Sequence, residues 1–297
     1  MVLLGYEGIE DAAAVTEALS TNQELTQRRQ AILNEPVTVV TRDCGLTSVH
    51  ILAEEMAFVA PAAHQVDLVA SDDATTCSIV LLISDEIVAV AHLDAIYQMA
   101  FILKKWESLV HSAVTRVGIA GGYDDERGIS RPISMDILQT LMSSEAVYSV
   151  QQYVAGRWNT METDNGVKLP RTRGIGYYPV ADIFRCVEFE PDARLPLVPL
   201  RFAGVSPHPL HTLLCCLEED KPFEITVGPY YSTLVSSEIC PYMLDLDDDE
   251  LLPRISTSPF AEGPKFLQDM RDMLKFISTC SLRSLGDTFV LTMSPRQ

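Results

Sequence analysis

The sequence predicts an α/β protein in which short apolar strands alternate with amphipathic helices. Residues 78–83 and 87–91 form two runs of β-branched and aliphatic residues, separated by a turn signal. Residues 95–113 and 264–277 place apolar side chains on one stripe at helical spacing. Because the two apolar runs are hydrophobic on both faces, we expect central strands that are covered on each side.

The first half of the chain continues this alternation. Helical propensity marks residues 12–19 and 23–33, and short strands are predicted at residues 37–40, 50–53 and 66–70, followed by the hairpin 78–91 and the helix 95–113. A strand at 114–119 ends at Gly121 and Gly122, and a helix follows at 135–142, with Ser134 as its N-cap. We predict that Asp94 caps a helix that starts at Ala95. Alternatively, Asp94 orients a nearby histidine.

The second half contains a strand, a long loop, a hairpin and a final helix. We predict the strand at residues 147–154, the loop at 156–177, a hairpin at 176–189 with Pro179 near its bend, a strand at 223–227 and the helix at 264–277. The acidic run 245–250 is typical of an exposed helix start. We predict an N-terminal extension over residues 1–45, packed on a domain over residues 46–297.

The formal net charge of −19 excludes several functions. A nucleic-acid-binding protein needs a basic surface, and attraction to an anionic membrane needs one as well, so we predict neither partner. The seven cysteines are scattered, and no Cys or His spacing matches a zinc site. We therefore predict no metal, no cofactor and reduced thiols, which indicate the cytoplasm and also permit the nucleus.

Cys77 and His92 flank the predicted hairpin. If the chain turns symmetrically about Ser84 and Asp85, these two residues lie directly opposite on one face, with Cβ atoms about 5 Å apart. An imidazolium beside a thiol favours the thiolate, which attacks carbonyl carbons, while the imidazolium protonates a leaving nitrogen. Backbone N–H groups at Thr75 and Thr76 are candidate oxyanion donors. The alternative is that Cys77 is an inert, buried strand residue.

Residues 71–77, Ser-Asp-Asp-Ala-Thr-Thr-Cys, resemble the nucleophile motif of the eukaryotic protein N-terminal asparagine amidohydrolases. Further segments resemble this family in the same order, namely residues 91–94, 121–125, 228–230 and 256–264. The resemblance extends from residue 47 to residue 278, and it is loose between residues 147 and 232. Its length makes it more specific than a single Cys-His pair.

The resemblance implies hydrolysis of the side-chain amide of an asparagine at the first position of a protein or peptide. The products are N-terminal aspartate and ammonia, and the new aspartate primes the substrate for arginylation and N-degron degradation. The family's nucleophile corresponds to Cys77, which forms a thioester, and its histidine to His92. The family is also similar to bacterial Cys-His deamidases. This likeness implies a layered α-β-β-α sandwich with central mixed or antiparallel sheets in a single large catalytic domain.

Recognition of a free α-ammonium in a partly buried pocket requires a carboxylate or a set of carbonyl oxygens. The candidates inside the matched motifs are Asp72, Asp73 and Glu262, with Ser258 beside the last. Alternatively, the two aspartates shape the turn before Cys77, Glu262 complements the positive end of the following helix, and Ser258 shapes the turn before it. The histidines at positions 50, 64, 111, 208 and 211 receive no role.

Two functions of other classes stay open. One is a broader cysteine hydrolase, either an N-terminal glutamine amidase or a peptidase, and the other is a non-catalytic protein that binds N-termini. We predict a monomer whose partners are N-termini that begin with asparagine. The resemblance adds the arginylation machinery as a downstream partner.

Overall fold

A computed structural model of the chain describes residues 2–4, 7–9, 12–280 and 286–293. Its strands are β1 (Val2–Leu4), β2 (Glu7–Ile9), β3 (Thr38–Val40), β4 (Ser48–Ile51), β5 (Glu55–Val59), β6 (Leu68–Ser71), β7 (Ser78–Ile83), β8 (Val88–Leu93), β9 (Thr115–Gly121), β10 (Tyr148–Ala155), β11 (Thr160–Glu162), β12 (Lys168–Pro170), β13 (Ile175–Tyr178), β14 (Ile183–Phe189), β15 (Gly204–Val205), β16 (His211–Cys216), β17 (Phe223–Val227), β18 (Ser232–Thr233) and β19 (Phe289–Met293). Its α-helices are α1 (Ala12–Thr21), α2 (Gln23–Asn34), α3 (Pro61–His64), α4 (Gln98–Leu109), α5 (Ser130–Ser143), α6 (Val198–Ala203), α7 (Cys240–Leu244), α8 (Asp248–Ile255) and α9 (Phe266–Thr279).

Two mixed sheets form the centre of the fold. The large sheet has the strand order β19-β17-β16-β5-β8-β7-β9-β10-β1-β2, and the small sheet has the order β3-β14-β13-β6-β4. In the large sheet β7 pairs antiparallel with β8 and β9, whereas β9 pairs parallel with β10. The predicted α/β class with central mixed sheets is confirmed.

The two faces of β7 belong to different hydrophobic cores. Val80 and Leu82 face a core shared with α1, α2, α4 and α5. Ile79 and Leu81 face a second core, which includes Val49 of β4 and other residues of the small sheet. Because side chains alternate along a strand, a strand covered on both sides is apolar at every position, as residues 78–83 predicted.

Helices α6 to α9 form a third core, which we call the C-terminal helical cluster. Its buried residues are Ala203, Cys240, Met243, Leu251, Met270, Met273, Leu274 and Ile277. The apolar stripe of α9 is the one that residues 264–277 predicted, and Asp247 caps α8 by accepting a hydrogen bond from the N–H of Glu250 at 2.9 Å. The acidic run 245–250 is exposed at the helix start, apart from Leu246, as predicted.

The register of the β7–β8 hairpin differs from the predicted one. His92 pairs with Ile79, and Ser78 pairs with Leu93, so Cys77 lies level with Asp94 and not with His92. The difference arises because the turn spans residues 84–87, where the Ser84 N–H donates to the Ile87 carbonyl at 2.9 Å. A slip of two residues keeps Cys77 on the same side as His92, since side chains alternate with a period of two.

Three local predictions are wrong. Residues 156–177 are not a loop, because they contain the β11–β12 hairpin and the start of β13. Ser134 does not cap a helix, since α5 begins at Ser130. Asp94 does not cap a helix at Ala95: α4 begins at Gln98, and the Gln98 side chain donates to the Asp94 carboxylate at 2.7 Å and accepts from the Asp94 N–H at 2.8 Å.

The first 45 residues contribute to both sheets. Strand β1 pairs with β10 in the large sheet, and β3 pairs with β14 in the small one. Strands β5, β16 and β19, which extend the large sheet beyond β8, were not predicted from the sequence. The division between residues 45 and 46 stays a prediction. In the part of the chain described here, no helix is long and apolar enough to cross a membrane.

Gly121 connects the fold to the segment around Cys77. Its φ of +94° is unfavourable for residues with a side chain, and a Cβ at this position would lie 2.6 Å from the Cys77 carbonyl oxygen. We therefore expect Gly121→Ala to lower the free energy of unfolding by about 2–4 kcal/mol, measured by urea denaturation. Gly45→Ala is the matched control, since Gly45 has φ +73° and open space around it, and its cost should stay near 1 kcal/mol. Equal losses in the two variants would contradict the close contact.

Candidate active site

One cavity of about 180 Å³ collects most of the predicted site residues. It is lined by Leu52, Ala53, Asp72, Asp73, Thr75, Thr76, Cys77, His92, Phe202, Ile255, Ser256, Thr257, Glu262, Phe266 and Asp269. The strand ends supply Cys77 and His92, and the C-terminal helical cluster with the turn before α9 supplies the opposite wall. The motifs therefore meet although up to 190 positions separate them in the sequence.

The ring of His92 has a defined tautomer. The Ser71 hydroxyl donates its one proton to the Ile51 carbonyl at 2.8 Å, so at 2.8 Å from Nδ1 it accepts the ring proton. The buried Nε2 makes no hydrogen bond with any described residue, and the ring lines the cavity. Burial lowers the pKa of His92 to about 4, against the opposing effects of Asp94 and Asp72. Near neutral pH, Nε2 therefore carries a free lone pair that can accept a proton.

Cys77 is the last residue of a bend at residues 75–77 and immediately precedes β7. The thiol makes no hydrogen bond to Nε2 in this state, which fits diagonal neighbours on a sheet rather than directly opposed ones. Burial and then the negative charges of Asp94, Glu262 and Glu54 raise the pKa of the Cys77 thiol. A thiol and a neutral imidazole, not an ion pair, are thus the resting forms of the two groups.

Thr75 and Thr76 lie in the bend before Cys77, and both are buried. The Thr76 hydroxyl is 3.2 Å from the Thr257 hydroxyl, so it connects the segment of residues 71–77 to the turn across the cavity. This contact fixes the backbone around Cys77 and keeps both threonines at the cavity wall.

Asp72 has both carboxylate oxygens occupied. Oδ1 lies 2.7 Å from Nε2 of His50, and Oδ2 accepts a hydrogen bond from the Phe189 N–H at 2.6 Å. Burial raises the pKa of Asp72, but His50 and Arg194 outweigh burial and the net direction is downward. His50 received no role in the sequence analysis, and the structure makes it the partner of this buried carboxylate.

Asp73 also has a partner within the chain. Arg194 donates to Asp73 Oδ2 and to Asp269 Oδ2, both at 2.6 Å. Asp73 has a φ of +58°, which short polar residues tolerate better than most. Burial and the adjacent Asp72 raise the pKa of Asp73 to about 7 in spite of Arg194. In either protonation state, Asp73 offers no unpaired negative charge to the cavity.

Glu262 differs from the other carboxylates of the cavity. Within the described ranges, no Lys, Arg or His nitrogen forms a salt bridge with it, whereas Asp72, Asp73 and Asp269 each have one. The Ser256 hydroxyl donates to its Oε1. Burial raises the pKa of Glu262, and the field of Arg173 opposes that effect. Glu262 is therefore a desolvated carboxylate that lies in the field of Arg173 but forms no salt bridge within the described ranges.

Ser258 lies behind the cavity and not in its wall. Its N–H donates to the Ser256 hydroxyl at 2.9 Å, and its own hydroxyl is buried. This supports the turn-shaping alternative for Ser258, while Ser256 and Thr257, its neighbours, line the cavity. Among the residues described, no group of three or more His, Cys, Asp or Glu side chains could hold a metal ion.

Comparison with known proteins identifies the family. Residues 38–285 match the family model described as protein N-terminal asparagine amidohydrolase. This chain belongs to that family. Curated relatives bearing the same description include a Sus scrofa protein, 27% identical over 77% of this chain and 73% of its own length. A Mus musculus protein is 25% identical over 89% and 84%, and one from Arabidopsis thaliana is 26% identical over 75% and 71%.

Membership of the amidohydrolase family makes this chain an enzyme, and the resemblance seen in the sequence is confirmed. The matched range includes the whole cavity wall, from Leu52 to Asp269. Sequence reasoning missed Ser71, His50 and Arg194 as partners of the site. Ser71 lies inside a matched motif, so the motif boundary was an available signal. Arg194 lies outside every motif, and the sequence around it carried no signal.

Burial and the Ser71 contact predict the protonation state and the tautomer of the His92 ring. We expect His92 to stay neutral down to about pH 5, with the proton on Nδ1, because burial holds its pKa near 4. The folded pKa lies below the unfolded value of about 6.5, so this group's contribution to stability falls as the pH drops from 6.5 to 4. Nitrogen NMR of the imidazole measures both properties. A charged ring at pH 6.5, or a proton on Nε2, would contradict this assignment.

Proposed function

We propose that this enzyme removes the side-chain amide of an asparagine at the first position of a protein or peptide, with Cys77 as nucleophile and His92 as proton carrier. One observation carries the proposal: the cavity joins a thiol, an imidazole with a free Nε2 and an unpaired carboxylate, Glu262. These groups match the reactive side-chain amide and the free α-ammonium that only an N-terminal residue has. The family description supports the same substrate.

In the first half-reaction, Nε2 of His92 takes the proton of the Cys77 thiol, and the thiolate attacks the side-chain carboxamide carbon. The carbonyl oxygen becomes an oxyanion, for which the backbone N–H groups around Thr75 and Thr76 are the proposed donors. Nε2–H then protonates the leaving nitrogen, the carbon–nitrogen bond breaks and ammonia departs. A thioester between Cys77 and the substrate side chain remains.

In the second half-reaction, water hydrolyses the thioester. Neutral Nε2 accepts a proton from the water as its oxygen attacks the thioester carbon, and the carbon–sulfur bond then breaks. The proton held by His92 returns to the sulfur, and an aspartate side chain leaves. Ser71 contributes throughout, because its hydrogen bond to Nδ1 keeps Nε2 directed towards the cavity and stabilises the imidazolium when it forms.

Glu262 is the proposed partner of the substrate's α-ammonium. The other carboxylates of the cavity are already bound by His50 or Arg194, so they would have to give up a partner first. An ionised carboxylate in a desolvated wall gains more from a cation than an exposed one does. This assignment also explains why an internal asparagine, which has no ammonium, would be a poor substrate.

The wider role follows from the product. N-terminal aspartate is a substrate for arginylation, so we propose that this enzyme acts upstream of arginylation in the N-degron pathway. Six of the cysteines, namely Cys44, Cys77, Cys186, Cys215, Cys216 and Cys240, are free thiols, which supports a reducing compartment such as the cytoplasm, and also the nucleus. We further propose that the enzyme works as a monomer, since every group of the proposed mechanism comes from one chain.

We expect Cys77→Ala to abolish ammonia release from a peptide that begins with asparagine, by roughly 10⁴-fold or more, because no nucleophile remains. Cys44→Ala is the matched control: Cys44 is exposed, and the variant should keep the wild-type rate. Mass spectrometry follows the conversion of amide to acid. Turnover by Cys77→Ala at the wild-type rate would exclude the mechanism.

The same assay separates the competing functions. Equal rates with glutamine-initiated peptides indicate a broader amidase, and cleavage of the peptide bond indicates a peptidase. Binding without ammonia release indicates a non-catalytic N-terminus-binding protein. One methylene is worth only about 1–3 kcal/mol in a binding pocket, so partial activity on glutamine is compatible with an asparagine amidohydrolase.

Glu262→Gln tests ammonium recognition. The variant keeps an oxygen that can accept from Ser256 but loses the charge, so we expect kcat/KM for an asparagine-initiated peptide to fall roughly 30- to 100-fold. Glu250→Gln removes an exposed carboxylate of α8 and should leave kcat/KM unchanged. An unaltered kcat/KM in Glu262→Gln would show that another group binds the ammonium.

A further inference from the structure

Three carboxyl groups from separate segments surround the Cys77 thiol. Asp94 follows β8 and lies level with Cys77 in the sheet register. Glu54 lies in the turn between β4 and β5, where the negative charge of Asp94 acts on it, and its N–H donates to the His92 carbonyl at 3.0 Å. Glu262 approaches from the turn before α9 and lines the same cavity. A negative charge on the sulfur would therefore meet three acidic neighbours.

The cations near the cavity have partners within the chain. Arg194 bridges Asp73 and Asp269, and Arg201 forms two hydrogen bonds to the carboxylate of Glu55, at 2.9 and 2.6 Å. Arg173 donates to the Ala261 carbonyl at 2.8 Å, and its charge acts on Glu262. The residues that line the cavity include no lysine and no arginine. The cavity wall itself thus places no lysine or arginine beside the sulfur.

His92 does not supply the missing charge at rest. Its ring is buried and neutral near pH 7, and Nε2 has no hydrogen-bond partner. The ionisable groups that act on the ring or on the thiol are Asp94, Glu54, Glu55, Glu262, Asp72 and His50. Two of these also hold protons more tightly than usual: burial and Asp94 raise the pKa of Glu54 to about 7, and burial raises that of Glu262. Each observation indicates an acidic site that lacks one positive charge.

We propose that the α-ammonium of the bound substrate is the cation that converts the neutral Cys77–His92 pair into a thiolate and an imidazolium. This inference rests on the proposed function and deepens it. The thiol proton moves to Nε2, so the protein's net charge does not change, and the ammonium beside Glu262 offsets the acidic field around the sulfur. A free N-terminus is then a condition for activation of the nucleophile, as well as for binding.

The expected size of the effect follows from Coulomb's law. A unit charge about 6 Å from the sulfur and about 9 Å from Nε2, at an effective dielectric constant of about 20, stabilises the thiolate more than it destabilises the imidazolium and favours the ion pair roughly 5-fold. An acetylated or internal asparagine would lose this factor in kcat, in addition to any loss of affinity. The empty enzyme would also keep a thiol that reacts slowly with cellular electrophiles.

The test uses a peptide that begins with glycine, which has the ammonium but no side-chain amide, and its N-acetylated twin. The ultraviolet absorbance of the Cys77 thiolate is measured on the full chain at pH 7, with Cys77→Ser as the reference for the other cysteines. We expect almost no thiolate in the free protein, a several-fold rise with saturating glycine peptide, and no rise with the acetylated twin.

Calorimetry on the same samples measures peptide binding. The proposal is overturned by a substantial thiolate signal in the free protein at pH 7, or by binding of the glycine peptide without a rise. Failure of the glycine peptide to bind overturns it as well, because the ammonium must enter the cavity on its own. Ammonia release is not part of this readout, so a failure of the proposed function is seen separately, with asparagine-initiated peptides.

Two variants distinguish the activation from a general change of environment. Asp94→Asn removes one negative neighbour of the sulfur and keeps the oxygen that accepts from Gln98, so the free protein should show several-fold more thiolate and still respond to the peptide. Glu262→Gln should also raise the thiolate of the free protein but lose most of the response. A full response in Glu262→Gln would contradict the placement of the ammonium.

Discussion

The buried carboxylate of Asp72 holds the segments of the site in one arrangement. It receives the ring of His50 from β4 and the Phe189 N–H from the end of β14, and it lies directly after β6, so three strands of the small sheet meet at one charged group. A carboxylate without partners at this depth would cost several kcal/mol, so each contact compensates its desolvation. Asp72 begins the segment that leads to Cys77. The position of Cys77 therefore depends on an interaction deeper in the protein, between Asp72 and its partners in the small sheet.

The strands that are apolar along most of their length could be predicted from the sequence, but the register in which they pair could not. Residues 78–83 are apolar at nearly every position because both faces are buried, and this property is visible without a structure. The register depends on the turn, where the Ser84 hydroxyl accepts from the Ile87 N–H at 2.9 Å and stabilises a longer connection than the symmetric one. Strand β16 was missed because it begins with two polar residues, His211 and Thr212, and its apolar part is short.

The candidate site divides in the same way. Cys77, His92 and Glu262 could be found because they lie in local motifs, and the structure brings them to one cavity. Which carboxylate keeps a free charge could not be found, because the answer depends on Arg194, more than 100 positions after Asp73. Such a contact has no local period or spacing. The hydrogen bond from His92 to Ser71 is equally invisible to sequence patterns, although it decides which ring nitrogen is available.

The two walls of the cavity belong to different hydrophobic cores. Cys77 is packed with the core between the sheets, whereas Phe266 is packed with the C-terminal helical cluster. Arg194 crosses from Asp73 to Asp269, and Lys265 donates to the Phe189 carbonyl at 3.1 Å, so polar contacts join the two bodies. The wall that contains Cys77 and the wall that contains Phe266 are therefore separately packed modules. Substitutions within the helical cluster can reshape one wall of the cavity and leave the packing around Cys77 unchanged.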